Sequence, residues 1–163
     1  MAPGTSPPGG EPEVKLVPGS LIVLTPDSWT LPFWEAAAEH RLVVPRCTRC
    51  GTFRMPPSPF CWNCQHQDVE WLETPGRGTV YSFTVVWHPL LPDLGDAVPY
   101  VPAVVTLPDA GGVRLVGGMV GVRPSEVRIG LEVELVWRDV REGTAVPTWR
   151  PVRSPVDGSG GPH

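Results

Sequence analysis

The sequence predicts a mainly β protein: an N-terminal helix, a cysteine-built ribbon and a five-stranded barrel of the OB type. Three observations lead there. Proline (22) and glycine (18) make up about a quarter of the 163 residues while charged residues make up only 18%, a balance that favours short strands and turns over helices. Two C-x-x-C pairs lie in the first half. Five short apolar runs, separated by Gly, Pro and Asp, fill the second.

From the N-terminus, seven of the first twelve residues are Pro or Gly and little before Val14 can be buried, so residues 1–26 read as a flexible segment. Residues 153–163, with Ser-Pro and Gly-Ser-Gly-Gly-Pro, read as a flexible tail. Residues 30–40, T-L-P-F-W-E-A-A-A-E-H, carry the one good helix signal: Thr30 as N-cap, Pro32 early and an alanine run. Phe33, Trp34, Ala37 and Ala38 would face a neighbour, with Glu35 and Glu39 toward solvent. Together with the cysteines this helix forms a unit over 27–74, and a second lobe occupies 75–152. The five runs are 79–88, 101–107, 113–122, 131–138 and 148–152. In the fourth, Leu131, Val133, Leu135 and Trp137 alternate with Glu132, Glu134 and Arg138 as a half-buried strand requires. Residues 124–128 fit a single helical turn, and Gly117-Gly118 reads as a bulge or a close backbone approach within a strand. An immunoglobulin-like sandwich would need about seven strands; five with one small helical turn suit an OB barrel.

Cys47-Thr-Arg-Cys50 and Cys61-Trp-Asn-Cys64 are spaced as two halves of one metal site. Each pair can wrap two thiolates around an ion, and a short hairpin between the pairs brings all four sulfurs to tetrahedral distance. Zinc, one per chain, is the expected occupant. Four protein ligands leave no position for water, so the site would be structural rather than catalytic. His66 is not needed to complete it, and His40, His88 and His163 lack the spacing for a second one.

The formal charge of −4 argues against coating duplex DNA. Residues 41–67 nevertheless contain Arg41, Arg46, Arg49 and Arg54 and no acid, so this segment is locally +4. Either it forms a face for phosphates or carboxylates, or the arginines offset a zinc–thiolate cluster of about −2. No phosphate-loop, nucleophile-elbow or metalloprotease motif is found. The longest aliphatic run near the start, Leu21-Ile22-Val23-Leu24, is too short for a membrane span. With no secretion-type leader, the reading is cytoplasmic. Seven tryptophans are many for this length, and some are expected to anchor an interface.

Several of these residues together resemble a known family, the acyl-CoA-associated OB-fold proteins with an N-terminal rubredoxin-like zinc ribbon (domain of unknown function thirty-five). The resemblance runs over 31–149. It rests on Pro32-Phe33-Trp34, Leu42-Val43, Cys47-x-x-Cys50-Gly51, Pro56-Pro57, Cys61-x-x-Cys64, Trp71, Gly76-x-Gly78-Thr79-Val80-Tyr81-Ser82-Phe83-Thr84, Pro99-Tyr100 and Ile129-Gly130-Leu131-x-Val133. Two positions depart from the pattern: Ser58, often Arg in the family, and Gln65, where glycine is common.

The resemblance implies a subunit without catalysis of its own, docked on a thiolase-like enzyme or aldolase and assisting acyl-CoA binding in lipid metabolism or steroid degradation. With Ser58 uncharged, Arg49 and Arg54 become the expected CoA-phosphate contacts. The rival reading is a single-stranded nucleic-acid-binding zinc-ribbon/OB protein, against which the acidic balance and the single lysine, Lys15, weigh.

Overall fold

In the computed structural model, which describes residues 10–153, the sharp stop before the first helix comes from Asp27. Its Oδ1 accepts from the backbone N–H groups of Trp29 (3.0 Å) and Thr30 (2.8 Å) and from the Thr30 hydroxyl (2.8 Å). Thr30, the expected cap, makes no side-chain capping bond to the helix. The Thr30 hydroxyl and N–H hold the Asp27 carboxyl below its ordinary range. Helix α1 (Leu31–Ala38) buries Phe33, Ala36 and Ala37. Ala36 replaces the expected Ala38 on the inner face because 33, 36 and 37 already form an i, i+3, i+4 stripe and the helix ends at Ala38. His40 takes the left-handed conformation past that end (φ 59°), and its Nε2 lies 2.8 Å from Asp139 Oδ1.

The ribbon follows. Strand β1 (Val43–Cys47) pairs antiparallel with β2 (Val69–Glu73), and both metal knuckles hang between them. Five strands then close a barrel: β3 (Arg77–Phe83), β4 (Pro102–Leu107), β5 (Val113–Met119), β6 (Glu132–Arg141) and β7 (Thr144–Pro151). Their order is β3-β4-β5-β7-β6, the OB arrangement, with β5 and β7 parallel and the other pairs antiparallel. A 3-10 turn, Pro124–Glu126, stands between β5 and β6. β3 carries a bulge between Val80 and Ser82 and ends five residues before the expected 88, beyond which pairing continues only as an isolated bridge between Val86 and Tyr100. β7 begins four residues before the expected 148, because Glu142-Gly143 forms a tight hairpin and Gly143 supplies the positive φ it needs. Pro147 obscures that start in the sequence.

The core is continuous across ribbon and barrel. Leu42 and Val44 of the ribbon join Val80, Val105, Leu107, Met119, Val133 and Trp149 in one buried cluster, with Phe53, Met55 and Trp71 packed on it. The two expected lobes therefore share one interior. Over 10–26 the structure also corrects the expected flexibility. Val14 is buried, its N–H donates to Val122 O and that of Lys15 to Pro99 O, while Arg138 holds the Val17 carbonyl at 2.7 Å. Proline and glycine content hides the Val14, Leu16, Val17 stripe that makes this possible. Residues 1–9 and 154–163, also expected to be flexible, lie outside the described residues. Among the described residues no helix is long and apolar enough to cross a membrane.

Two glycines admit close packing. A Cβ at Gly78 would stand 2.5 Å from the Thr106 carbonyl, and one at Gly117 would stand 2.7 Å from both Pro147 O and Trp149 Nε1. The indole of fully buried Trp149 thus occupies the space under Gly117. Gly117→Ala should cost about 1–3 kcal/mol, since the Pro147 carbonyl is backbone and yields little. Urea unfolding reads this directly, and a midpoint equal to that of the parent protein would contradict it.

Candidate metal centre

Each C-x-x-C is wound into the same turn. The N–H of Gly51 donates to Cys47 O and that of Gln65 to Cys61 O, both at 2.9 Å. The residue after each second cysteine has positive φ, 73° at Gly51 and 59° at Gln65. The glycine-type conformation is thus kept where the residue is glutamine, at a cost of roughly 1 kcal/mol.

These turns bring the Sγ atoms of Cys47, Cys50, Cys61 and Cys64 within 4.8 Å of one another. The Cys47–Cys64 and Cys50–Cys61 separations are 3.6 and 3.5 Å. A tetrahedral ion with bonds near 2.3 Å sets its sulfurs ~3.8 Å apart, so the donor set fits one metal ion with shifts of at most about 1 Å. Cys47 and Cys61 are buried, Cys64 is half-buried and Cys50 is exposed.

Four crowded thiols do not share protons equally. Hydrogen bonding from the Thr52 hydroxyl, then from its backbone N–H, draws Cys50 down to about 5. Burial raises Cys47, but the N–H groups of Cys50 and Arg49, with Cys64, outweigh it and the net shift is downward. The His66 N–H pulls Cys64 down, yet burial and the three neighbouring sulfurs push it up to about 12. A bound dication would displace the protons that remain, and its affinity would fall in acid. His66 stays outside the sulfur cluster, its Nε2 being 3.1 Å from Thr48 Oγ1 and 3.4 Å from Asp68 Oδ2.

The four ribbon arginines separate into different roles. Arg41 pairs with Glu39 at 2.6 Å and Glu73 at 3.4 Å; Arg46 pairs with Glu70 at 2.7 Å. Those acids lie just outside 41–67 in sequence and fold back across the ribbon, which cancels most of the local charge. Arg54 corrects the expected phosphate contact. It is 2% exposed, with Nη1 donating to Ser58 O (3.2 Å) and Gln67 O (3.1 Å) and Nη2 to His66 O (3.0 Å) and Asp68 O (3.1 Å). A guanidinium so enclosed is a staple for the ribbon and is closed to a CoA phosphate. Spacing alone gave no signal of this. Arg49, between the first two cysteines, is exposed, with no hydrogen bond or ion pair among the described residues.

Of the tryptophans, Trp149 is fully buried, whereas Trp29, Trp87 and Trp62 of the second knuckle are exposed, Trp62 by 71%. Trp87 is followed by exposed Leu90 and Leu91 on the long β3–β4 connection. The W-H-P-L-L-P run there was a legible signal of an apolar surface that the sequence reading passed over.

Comparison with known proteins agrees with this architecture. The family model described as the ChsH2 rubredoxin-like zinc ribbon domain matches residues 34–70, and that of the ChsH2 C-terminal OB-fold domain matches 71–138. The four cysteines are thus the metal site of a zinc ribbon. A probable enoyl-CoA hydratase alpha subunit of Thermomonospora curvata is 42% identical over 73% of this chain. A 3-oxo-4,17-pregnadiene-20-carboxyl-CoA hydratase alpha subunit of Mycobacterium tuberculosis is 34% identical, also over 73%. The chain spans only 36% of the length of either. A DUF35 domain-containing scaffold protein of Methanocaldococcus jannaschii is 33% identical over 71% of this chain and 82% of its own. In the solved structure of an Ltp2-ChsH2(DUF35) aldolase, one chain superposes with a TM-score of 0.71 at 37% identity, covering 79% of this chain and 98% of that one.

Arg54→Met should destabilise the protein by roughly 3 kcal/mol or more, because four backbone carbonyls lose a buried, charged donor together. Zinc retained after chelator challenge should fall well below that of the parent, whereas Arg49→Met should change neither quantity. Unaltered denaturation and metal content in the Arg54 variant would refute the staple.

Proposed function

Because this chain belongs to the DUF35 family of zinc-ribbon and OB-fold proteins, we propose that it is a non-catalytic accessory subunit. Its partner would be an aldolase or related thiolase-fold enzyme acting on acyl-CoA. The observation that carries this reading is the near-complete coverage of a chain from the Ltp2-ChsH2(DUF35) aldolase at 37% identity. The name of the mycobacterial hydratase subunit, with its pregnadiene carboxyl-CoA, makes a steroid-derived thioester the favoured substrate class for the complex.

The chemistry of the chain supports a subordinate role. A four-cysteine site offers no open coordination position, so the metal stabilises the ribbon without polarising a substrate. Docking falls to the β3–β4 connection, where Trp87, Leu90 and Leu91 expose an aromatic and two aliphatic side chains of the kind that become desolvated anchors. Arg49 is the remaining ribbon candidate for a CoA phosphate, being exposed and uncommitted. The nucleic-acid reading draws no support from the ribbon, since Arg41, Arg46 and Arg54 are already engaged.

The isolated chain is expected to show no carbon–carbon cleavage or thioester hydrolysis above background. Mixing it with an Ltp2-type aldolase should give a stable complex by gel filtration and calorimetry. Trp87→Asp with Leu91→Asp should weaken assembly by about a hundredfold, as loss of two buried anchors implies. Arg49→Glu should raise the KM of the complex for its CoA thioester about tenfold with little change in assembly. Turnover by the chain alone, or failure to bind any such aldolase, would overturn the proposal.

A further inference from the structure

One feature of the fold has no part in the foregoing roles. Between the N-terminal segment, α1, the Met55-Pro56-Pro57 turn and the outer side of β5 and β7 lies a groove of about 610 Å³. Its walls are overwhelmingly apolar, with Phe33, Trp34, Met55, Leu115 and Val116 among them, and Val116 remains 60% exposed there. Apolar surface left open on a small protein marks a binding site more often than chance exposure, and this volume lies within the range of small-molecule pockets.

The charged residues lining it are all of one sign. Lys15, Arg114 and Arg138 contribute, and no Asp or Glu does. None of the three has a carboxylate partner among the described residues. Lys15 Nζ donates to the Asp96 carbonyl, Arg138 to the Val17 carbonyl, and the Arg114 guanidinium carbon sits over the Tyr81 ring, 3.5 Å from its centroid. Carbonyls and a π-face orient these cations without neutralising them. In a chain of net charge −4, three uncompensated cations around an apolar hollow are selective for an anionic end on an apolar body.

We propose that this groove binds an apolar molecule bearing one carboxylate, either an acyl chain or a fused-ring acid. The apolar body would lie along Phe33, Leu115 and Val116, and the carboxylate would be drawn by the field of the cations that rim the groove. The site goes beyond the accessory-subunit reading, in that this chain would bind the acid by itself.

The test uses the full chain alone. Fluorescent dansylaminoundecanoate is titrated in, then displaced by laurate, by lithocholate or by dodecyltrimethylammonium. Either carboxylate should displace the probe at least tenfold better than the cation. Val116→Glu, an exposed change compatible with the fold as checked by circular dichroism, should weaken carboxylate binding about tenfold and improve that of the alkylammonium. Arg114→Gln should weaken carboxylate binding severalfold. If neither carboxylate binds, if the cation competes equally, or if Val116→Glu leaves affinities unchanged, the groove is not such a site. Failure here would leave aldolase assembly intact, which separates this claim from the preceding one.

Discussion

A guanidinium taken out of water without a carboxylate beside it is tolerated only where acceptors surround it and negative charge lies close. Arg54 meets the first condition with four backbone carbonyls, three of them consecutive at His66, Gln67 and Asp68. The second would depend on the cysteine turns, for that carbonyl run begins two residues after Cys64, and an ion with four thiolates would carry about −2. Arg54 and the second cysteine turn therefore hold one stretch of chain, tied at Ser58 before that turn and at residues 66–68 after it. Phe53 and Met55, flanking Arg54, carry this rigidity into the barrel by packing on the common core.

This arrangement explains how an acidic protein with a locally basic ribbon avoids being a general polyanion binder. Glu39, Glu70 and Glu73 fold against Arg41 and Arg46, and Arg54 is turned inward. Within the ribbon the one arginine left to solvent is Arg49, and a separate trio of cations, Lys15, Arg114 and Arg138, lines the groove. Exposed apolar side chains include Trp62 at the second knuckle, Trp87, Leu90 and Leu91 on the β3–β4 connection and Val116 on β5.

Much of this was legible in the sequence, for identifiable reasons. Cysteine spacing encodes metal geometry directly, and alternation in Leu131, Val133, Leu135 and Trp137 encodes a strand with one buried face. The Gly117 close approach followed from two glycines inside an apolar run. Other features depended on residues far apart in the chain. Arg54 reads as a free cation until the carbonyls around it are placed, and Glu70 and Glu73 neutralise a ribbon whose own letters contain no acid. The N-terminal segment looked unstructured because its composition is dominated by Pro and Gly, while its order depends on Val14 and on Arg138, more than a hundred residues away. Asp27 was passed over as the cap because Thr30 stood closer to the helix.

Hydrogen exchange across the backbone, with zinc bound and after its removal by chelation, probes the coupling between cluster and Arg54 most directly. Zinc removal should release the amides of Cys47, Arg54 and Cys61 to near-free exchange while those of Val80, Val105 and Leu135 in the barrel keep most of their protection. Ribbon amides that stay protected without zinc would show that the sulfur cluster does not hold this part of the molecule, and would contradict the account.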